Sequence, residues 1–301
     1  MSEQKTSSIK FNFTYWIITF IILLSSIPIL TMNEQQSLAK VVGISTVVLT
    51  TFAIRRWLYF ANKSKGKPNK INLNINDRYW LIENIEFYKF LSKTDKKVFE
   101  DRISLFVTDI IITEIGKEVP SRDVCLYVAS SAVITFWGLP YWNYGRLSEV
   151  LVYPNNFTND NEIDSRGEVM GKVHQGGLMD TTMILSMPAL VAGFKNSNDK
   201  KNVGIHEFAH LIDKADGTID GIPVDLGAKT KGNWIQLFSK EFNEIQHKSN
   251  DINSYGATSL PEFFAVVVEY FKESPSKLEQ NHKELFHLLN DYFNDLHLDN
   301  H

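Results

Sequence analysis

Cysteine is nearly missing from this chain. One thiol, Cys125, serves 301 residues, so no internal disulfide can form, which fits a reducing compartment. It lies in the apolar run Val124-Cys125-Leu126-Tyr127-Val128, where a thiol behaves as a small buried hydrophobe. An excess of either charge is also missing. The net charge is only −4, and nothing suggests the basic face of a nucleic-acid binder. There is no internal repeat and no low-complexity segment. What remains is ordinary core-forming material, 44% hydrophobic, enough for one large domain or two modest ones.

Charge disappears altogether from two stretches near the N-terminus. Phe11 to Met32 is mostly apolar and uncharged, with Tyr15 and Trp16 near one end, and is long enough to span a bilayer. Val41 to Ile54 is shorter and spans if Lys40 and Arg55 snorkel to the interfaces. The polar link Asn33-Glu34-Gln35-Gln36 separates them. The expectation is a membrane hairpin within residues 1–60, with helices at about 11–32 and 38–58. The first stretch exceeds a signal-peptide core and lacks a small-residue cleavage pattern. Lys40 is the only basic residue between the stretches, whereas Lys5 and Lys10 precede them and Arg55, Arg56, Lys63, Lys65, Lys67 and Lys70 follow. The positive-inside rule then places both ends, and the large domain, in the cytoplasm.

Residues 61–78 read as a polar, Lys-rich linker with Gly66-Lys67-Pro68. Residues 79–301 read as an α+β domain dominated by helix. Phe87, Phe90 and Leu91, then Phe99, Ile103, Phe106 and Val107, recur at helical spacing between Tyr79 and about Ile115. Pro120-Ser121-Arg122-Asp123 starts a helix running from Val124 to Phe136. Glu149 to Tyr153 is a strand ended by Pro154. Gly167, Gly171, Gly176 and Gly177 break a segment that leads to the strand Met183-Ile184-Leu185-Ser186. That strand is a candidate to pair with an extended substrate, or else a plain structural hairpin. Helices are expected over Asn233 to Gln246, Pro261 to Lys272 and Lys277 to Asp295.

The helix-like run Val203 to Lys214 contains His206-Glu207-Phe208-Ala209-His210, which reads H-E-x-x-H. Side chains four apart share a helix face. His206 and His210 can therefore offer two imidazole nitrogens to one ion, and Glu207 can reach a water without ligating the metal. Zinc is the natural occupant, because it takes imidazole and carboxylate tetrahedrally and keeps one position open for catalysis. A third ligand must come from another element. The apolar helix from Pro261 carries two acids, Glu262 and Glu269, seven apart on nearly the same face. Either qualifies on chemistry, because buried carboxylates are costly unless paired or bound to metal. Tyr255, in the loop Asn253 to Thr258, could stabilise an oxyanion. Asp213 either orients a ligand imidazole or simply ends the helix. His174, in the glycine-rich segment, reads as a surface histidine rather than one lining the cleft, and His247, His282 and His287 sit in helices without metal spacing.

Several blocks in order resemble the Mlc titration factor A family of bacterial zinc peptidases. They are Val203 to Asp213 with Asp216-Gly217 and Asp220-Gly221-Ile222-Pro223, then Tyr255 to Val266, with Leu151 to Pro154 and Ser274-Pro275 to Phe286 around them. The logic is also similar to the catalytic core of anthrax lethal factor, with its H-E-F-x-H helix and a Tyr seven before the ligand Glu. The resemblance implies a mainly helical, zincin-like metallopeptidase domain with a small sheet. It implies His206, His210 and Glu262 as metal ligands, Glu207 as base and Tyr255 as active-site tyrosine. Two features depart from the family: Met187 follows Leu185-Ser186 where a Trp is usual, and ordinary soluble members lack the hairpin. A quality-control peptidase with a later E-x-x-x-D does not fit, since Val266 stands four after Glu262.

The expected function is a membrane-anchored zinc metallopeptidase acting on a peptide or protein at the bacterial inner membrane, its catalytic domain cytoplasmic. The alternative is a membrane-tethered binding protein that sequesters a cytosolic transcriptional regulator, as the family name implies, with peptidase activity secondary.

Overall fold

Alternating helix and strand patterns resolve, in a computed structural model, into helices packed around a small sheet. The structure describes residues 73–139, 144–155, 171–173, 181–196, 199–223, 226, 228–247 and 251–295. Both apolar stretches of the expected hairpin, His174, and most of the expected linker lie outside these residues. Among the described residues no helix is long and apolar enough to cross a membrane.

The helical stretch read from Tyr79 to about Ile115 is three helices and a strand: α1 (Ile75–Asn84), α2 (Glu86–Phe90), α3 (Lys93–Asp109) and β1 (Ile111–Glu114). The first helix begins ahead of Tyr79, because Asn74 and Asp77 form a reciprocal capping box there. The helical pattern ends at Ile110 because Ile111 to Glu114 pair with a neighbouring strand. Next come α4 (Arg122–Thr135), β2 (Glu149–Tyr153), β3 (Gly171–Val173), β4 (Thr182–Ser186) and α5 (Met187–Lys195). The motif helix α6 (Val203–Asp213) follows, then α7 (Ala228–His247) and α8 (Leu260–Glu273). The last expected helix, Lys277 to Asp295, is broken into α9 (Pro275–Asn281), α10 (Lys283–Asn290) and a π-helical turn Asp291–Asp295. The break falls at His282, whose ring is held by Asp251 and Glu241.

The sheet has the order β1-β2-β4-β3, with the first three strands parallel and β3 antiparallel. Val150 faces Ile112 on one side and Met183 on the other. Strand β4 is therefore interior: Met183, Ile184 and Leu185 pair with β2 and also with β3. Of the two roles open to β4, a site for an extended substrate and a plain structural hairpin, the pairing excludes the first, because both its edges are already bonded. Its unbroken burial is what a covered central strand requires. Met187, at the usual tryptophan position, begins α5 and packs partly buried against the core.

Helix α6 packs chiefly against α8 and α4. Helix α8 is buried from Phe263 through Phe271, and α4 from Val124 through Thr135 except Cys125. The hydroxyls of Ser131 and Thr135 bond back to the Tyr127 and Ser131 carbonyls, which lets polar residues sit inside α4. Phe208 meets Phe106 edge-on at 5.7 Å, and each such buried side chain stabilises the fold by about 1.5–3 kcal/mol. At Gly204 the two helices nearly touch: a Cβ there would stand 2.1 Å from the Ser131 hydroxyl oxygen. Glycine is thus needed for α6 to lie this close to α4.

Candidate active site

The motif helix starts at Asn202, whose side chain accepts the Ile205 N–H at 3.2 Å. One turn further, His206 and His210 lie on the same face, their ring centroids 5.0 Å apart. Helix α8 starts at Ser259, whose hydroxyl accepts the Glu262 N–H at 3.3 Å, with Pro261 in the first turn. Ser259-Leu260-Pro261-Glu262 has the sequence of a capping box, yet the Glu262 carboxylate turns instead to the histidines. Its Oε2 is 3.0 Å from His206 Nε2 and 3.5 Å from His210 Nε2.

The donor atoms of His206, His210 and Glu262 all lie within 4.8 Å of one another, so these three side chains could hold one metal ion. They are the only such group among the described residues. The electrostatics point the same way. Burial alone would push the Glu262 carboxyl up, but hydrogen bonds to His206 and His210 bring it down to about 2. Burial alone would push the His206 imidazole down, but Glu262 and then Glu269 raise it to about 10. The cluster draws positive charge to its centre, which is what a divalent cation supplies. With their protons given up, the two imidazoles and one carboxylate form a donor set that suits zinc and leaves a fourth position open.

The two acids of α8 have different tasks. Glu269 is buried and lies on the other side of the His206 ring, its Oε2 3.6 Å from Nδ1. Its other oxygen accepts the Asn202 N–H at the head of the motif helix. Burial pushes its carboxyl up, while His206 pulls the other way. Glu262 therefore faces the nitrogen of His206 that points into the cluster, and Glu269 faces the opposite nitrogen.

Glu207 is buried beside the cluster, and its carboxyl is raised by burial against the pull of His206 and His210. Tyr255 sits in a short 3₁₀ turn, Ser254–Ala257, 53% exposed, with its ring centroid 5.8 Å from that of His206. It thus stands at the open side of the cluster. Burial raises its phenol, and the charges of Glu262 and Glu207 add to this. The structure thereby brings together the five residues that the resemblance implies.

Two supports act on the site from outside it, Asp251 without a signal in the sequence and Asp213 in a role other than the imidazole contact its spacing offered. Asp251 holds the segment that leads to Tyr255. Its carboxylate accepts from the Tyr270 hydroxyl at 2.6 Å, His282 Nε2 at 2.7 Å and the Asn281 amide at 2.8 Å. Lys200 adds an ion pair to it at 3.1 Å, from a backbone held in the left-handed region at φ 63°. Burial opposes ionisation of Asp251, but these bonds hold its carboxyl far below the usual range. The second support is Asp213. It makes no hydrogen bond to a ligand imidazole; its Oδ1 accepts the Gly221 N–H at 2.8 Å and the Ile222 N–H at 3.1 Å. Gly221, at φ 79°, lies against the Leu260 carbonyl, and the Trp234 indole donates to its own carbonyl at 3.0 Å. Asp213 therefore ties the end of the motif helix to the start of the helix carrying Glu262. Burial pushes its carboxyl up to about 6. Outside the site, His247 bonds to the Asn243 carbonyl, and His282 belongs to the Asp251 network.

The family model of glucose-regulated metallo-peptidase M90 matches residues 61–294. The uncharacterized protein slr2042 of Synechocystis sp. is 30% identical over 224 residues, covering 71% of this chain and 81% of its own length. Mlc titration factor A of Yersinia enterocolitica is 27% identical over 180 residues, 54% of this chain and 66% of that protein. The same factor of Pectobacterium atrosepticum is 25% identical over 158 residues, 48% of this chain and 58% of its own. The match thus spans between half and two thirds of the length of these two Mlc titration factors.

Proposed function

The chain belongs to the glucose-regulated metallo-peptidase M90 family, and on that premise we propose that it is a zinc-dependent peptidase tethered to a bacterial inner membrane. The observation that carries this reading is the convergence of His206, His210 and Glu262 beside a buried glutamate. These three side chains would hold the ion. When bound, zinc supplies Lewis acidity, which lowers the pKa of water and polarises a carbonyl.

The remaining chemistry belongs to side chains. Glu207 accepts the proton of the attacking water and delivers it to the departing amine. Tyr255 donates its phenolic hydrogen to the carbonyl oxygen as negative charge grows there. Glu269 holds the His206 ring in the orientation that turns Nε2 toward the cluster. Asp251 and Asp213 act further out, fixing the Tyr255 segment and the spacing of the two site-bearing helices.

The membrane tether rests on the two uncharged stretches and the basic residues that follow them. Full-length protein should fractionate with inner membranes, and in spheroplasts external protease should leave the large domain intact. Digestion of that domain from outside would reverse the proposed orientation.

A chelator should abolish peptide cleavage, and added zinc should restore it. Cleavage that persists in metal-free protein would overturn the mechanism. A second reading draws on the relatives' name, which denotes titration of a factor called Mlc. On that reading the chain sequesters a cytosolic regulator. Partners trapped in membranes by Glu207→Gln and then cleaved by wild type support the peptidase; stable binding without cleavage supports sequestration.

A further inference from the structure

A cavity of about 330 Å³ opens beside the first turn of α6, bounded by α2, α5 and the last turn of α8. Its volume falls in the range of small-molecule sites. None of His206, His210, Glu262 and Tyr255 lines it. The walls are largely aromatic, from Phe87, Phe90 and Phe194, and Phe90 is 75% exposed.

The polar end of this cavity is Glu273. Both of its carboxylate oxygens are buried and lack a well-formed hydrogen bond among the described residues, although Asn202 and the Lys201 backbone lie near enough to favour its charged form. The neighbouring Lys272 does not satisfy it. That ammonium donates to the Trp137 carbonyl at 2.7 Å and lies 3.6 Å from the Phe293 ring centroid. Asn202 spends its side-chain oxygen on the Ile205 N–H, and its amide N–H stands close to Glu273 without hydrogen-bond geometry. Burial pushes the Glu273 carboxyl up to about 8, with Glu269 adding to this and Asn202 and the Lys201 backbone opposing only in part. Glu86 contributes a second carboxylate to the lining.

An anion entering this space would meet two acids, and the one cation among the described residues of the lining, Lys272, is already engaged by the Trp137 carbonyl and the Phe293 ring. A hydrocarbon would fill the aromatic walls but leave the buried carboxyl group without a donor. An ammonium group brings three donors and a positive charge, and aromatic faces attract it as well. We propose that this cavity is a binding site for a small organic cation, its ammonium set against Glu273 and its apolar body between Phe87, Phe90 and Phe194. The site is separate from the metal cluster. Its wall nevertheless includes Asn202 and Ile205, so an occupant touches the turn that presents His206.

The test is calorimetric titration of the zinc-loaded, full-length protein with 2-phenylethylamine. Saturable binding is expected, at least ten-fold tighter than that of the uncharged 2-phenylethanol. Glu273→Gln should weaken amine binding at least ten-fold. Phe90→Ala removes an exposed ring and should leave the fold intact while also weakening binding. Absence of saturable binding, equal binding of amine and alcohol, or unchanged binding by both variants would overturn the proposal. So would amine binding that is lost with His206→Ala yet kept with Glu273→Gln, since the amine would then sit at the metal cluster. Loss of cleavage by either cavity variant is not required, so this outcome is independent of the peptidase reading.

Discussion

Replacing Glu269 by glutamine should weaken metal binding although Glu269 is not among the three converging donors. The carboxylate accepts the Asn202 N–H on one oxygen and sets its other oxygen 3.6 Å from Nδ1 of His206, an ion-pair distance. Glutamine keeps the volume but offers one acceptor and one donor. If its oxygen takes the Asn202 N–H, its amide hydrogens point at Nδ1 and oppose the tautomer that leaves Nε2 free for a metal. If it flips, the N–H at the head of the motif helix loses its acceptor. Either arrangement disorients His206. Loss of a carboxylate behind a ligand histidine typically lowers metal affinity about 10–100-fold, which corresponds to about 1.4–2.7 kcal/mol. The assay is competition for zinc against a chromophoric chelator, with thermal unfolding of the metal-free protein as a check on the fold. A folded Glu269→Gln protein whose zinc affinity stays within about two-fold of wild type, well short of that loss, would refute this role for Glu269.

Gly204→Ala should destabilise the domain by about 1–3 kcal/mol through overpacking, because its Cβ would meet Ser131 and Leu190; a lower unfolding midpoint, partly restored by adding Ser131→Gly, checks this. Asp77 is buried and doubly bonded to Arg122, at 2.8 and 2.9 Å, which lowers its carboxyl below the usual range chiefly through that hydrogen bond. Its contribution is therefore present above the unfolded-state value near 3.8 and lost as pH falls through the lower folded value. Asp77→Asn should destabilise the protein by about 1.5–3 kcal/mol at neutral pH. The gap to wild type, read from denaturant midpoints, should narrow below about pH 4; a gap that widens there would contradict the sign.

The motif helix was legible because two histidines four apart have one physical consequence, a shared face. The choice between Glu262 and Glu269 was not legible from chemistry. Seven residues turn a helix almost back onto itself, so both acids share a face, and the difference is a translation of about 10 Å along the axis. That translation places one acid at each nitrogen of the same imidazole. The resemblance to known peptidases pointed to Glu262, and the geometry gives a reason for it. Strand β1 was absorbed into a helical pattern because its short apolar run lacks a breaker; only its pairing with β2 reveals it. The break at His282 was hidden for a related reason. No proline or glycine marks it, and the interruption comes from Asp251, 31 residues away. Strand β4 was found, but its interior place depends on neighbours remote in sequence. The Asp251 and Asp213 anchors were invisible as roles, since each acts on backbone or side chains brought together only by folding.

On the proposed function, one metal and one buried glutamate carry peptide hydrolysis. This is tested most directly by measuring zinc content and peptide cleavage together for Glu207→Gln. That variant should hold about one zinc per chain, as in wild type, with cleavage reduced by about 10²-fold or more, the scale of a lost general base. Cleavage at the wild-type rate by a zinc-loaded Glu207→Gln protein would contradict it.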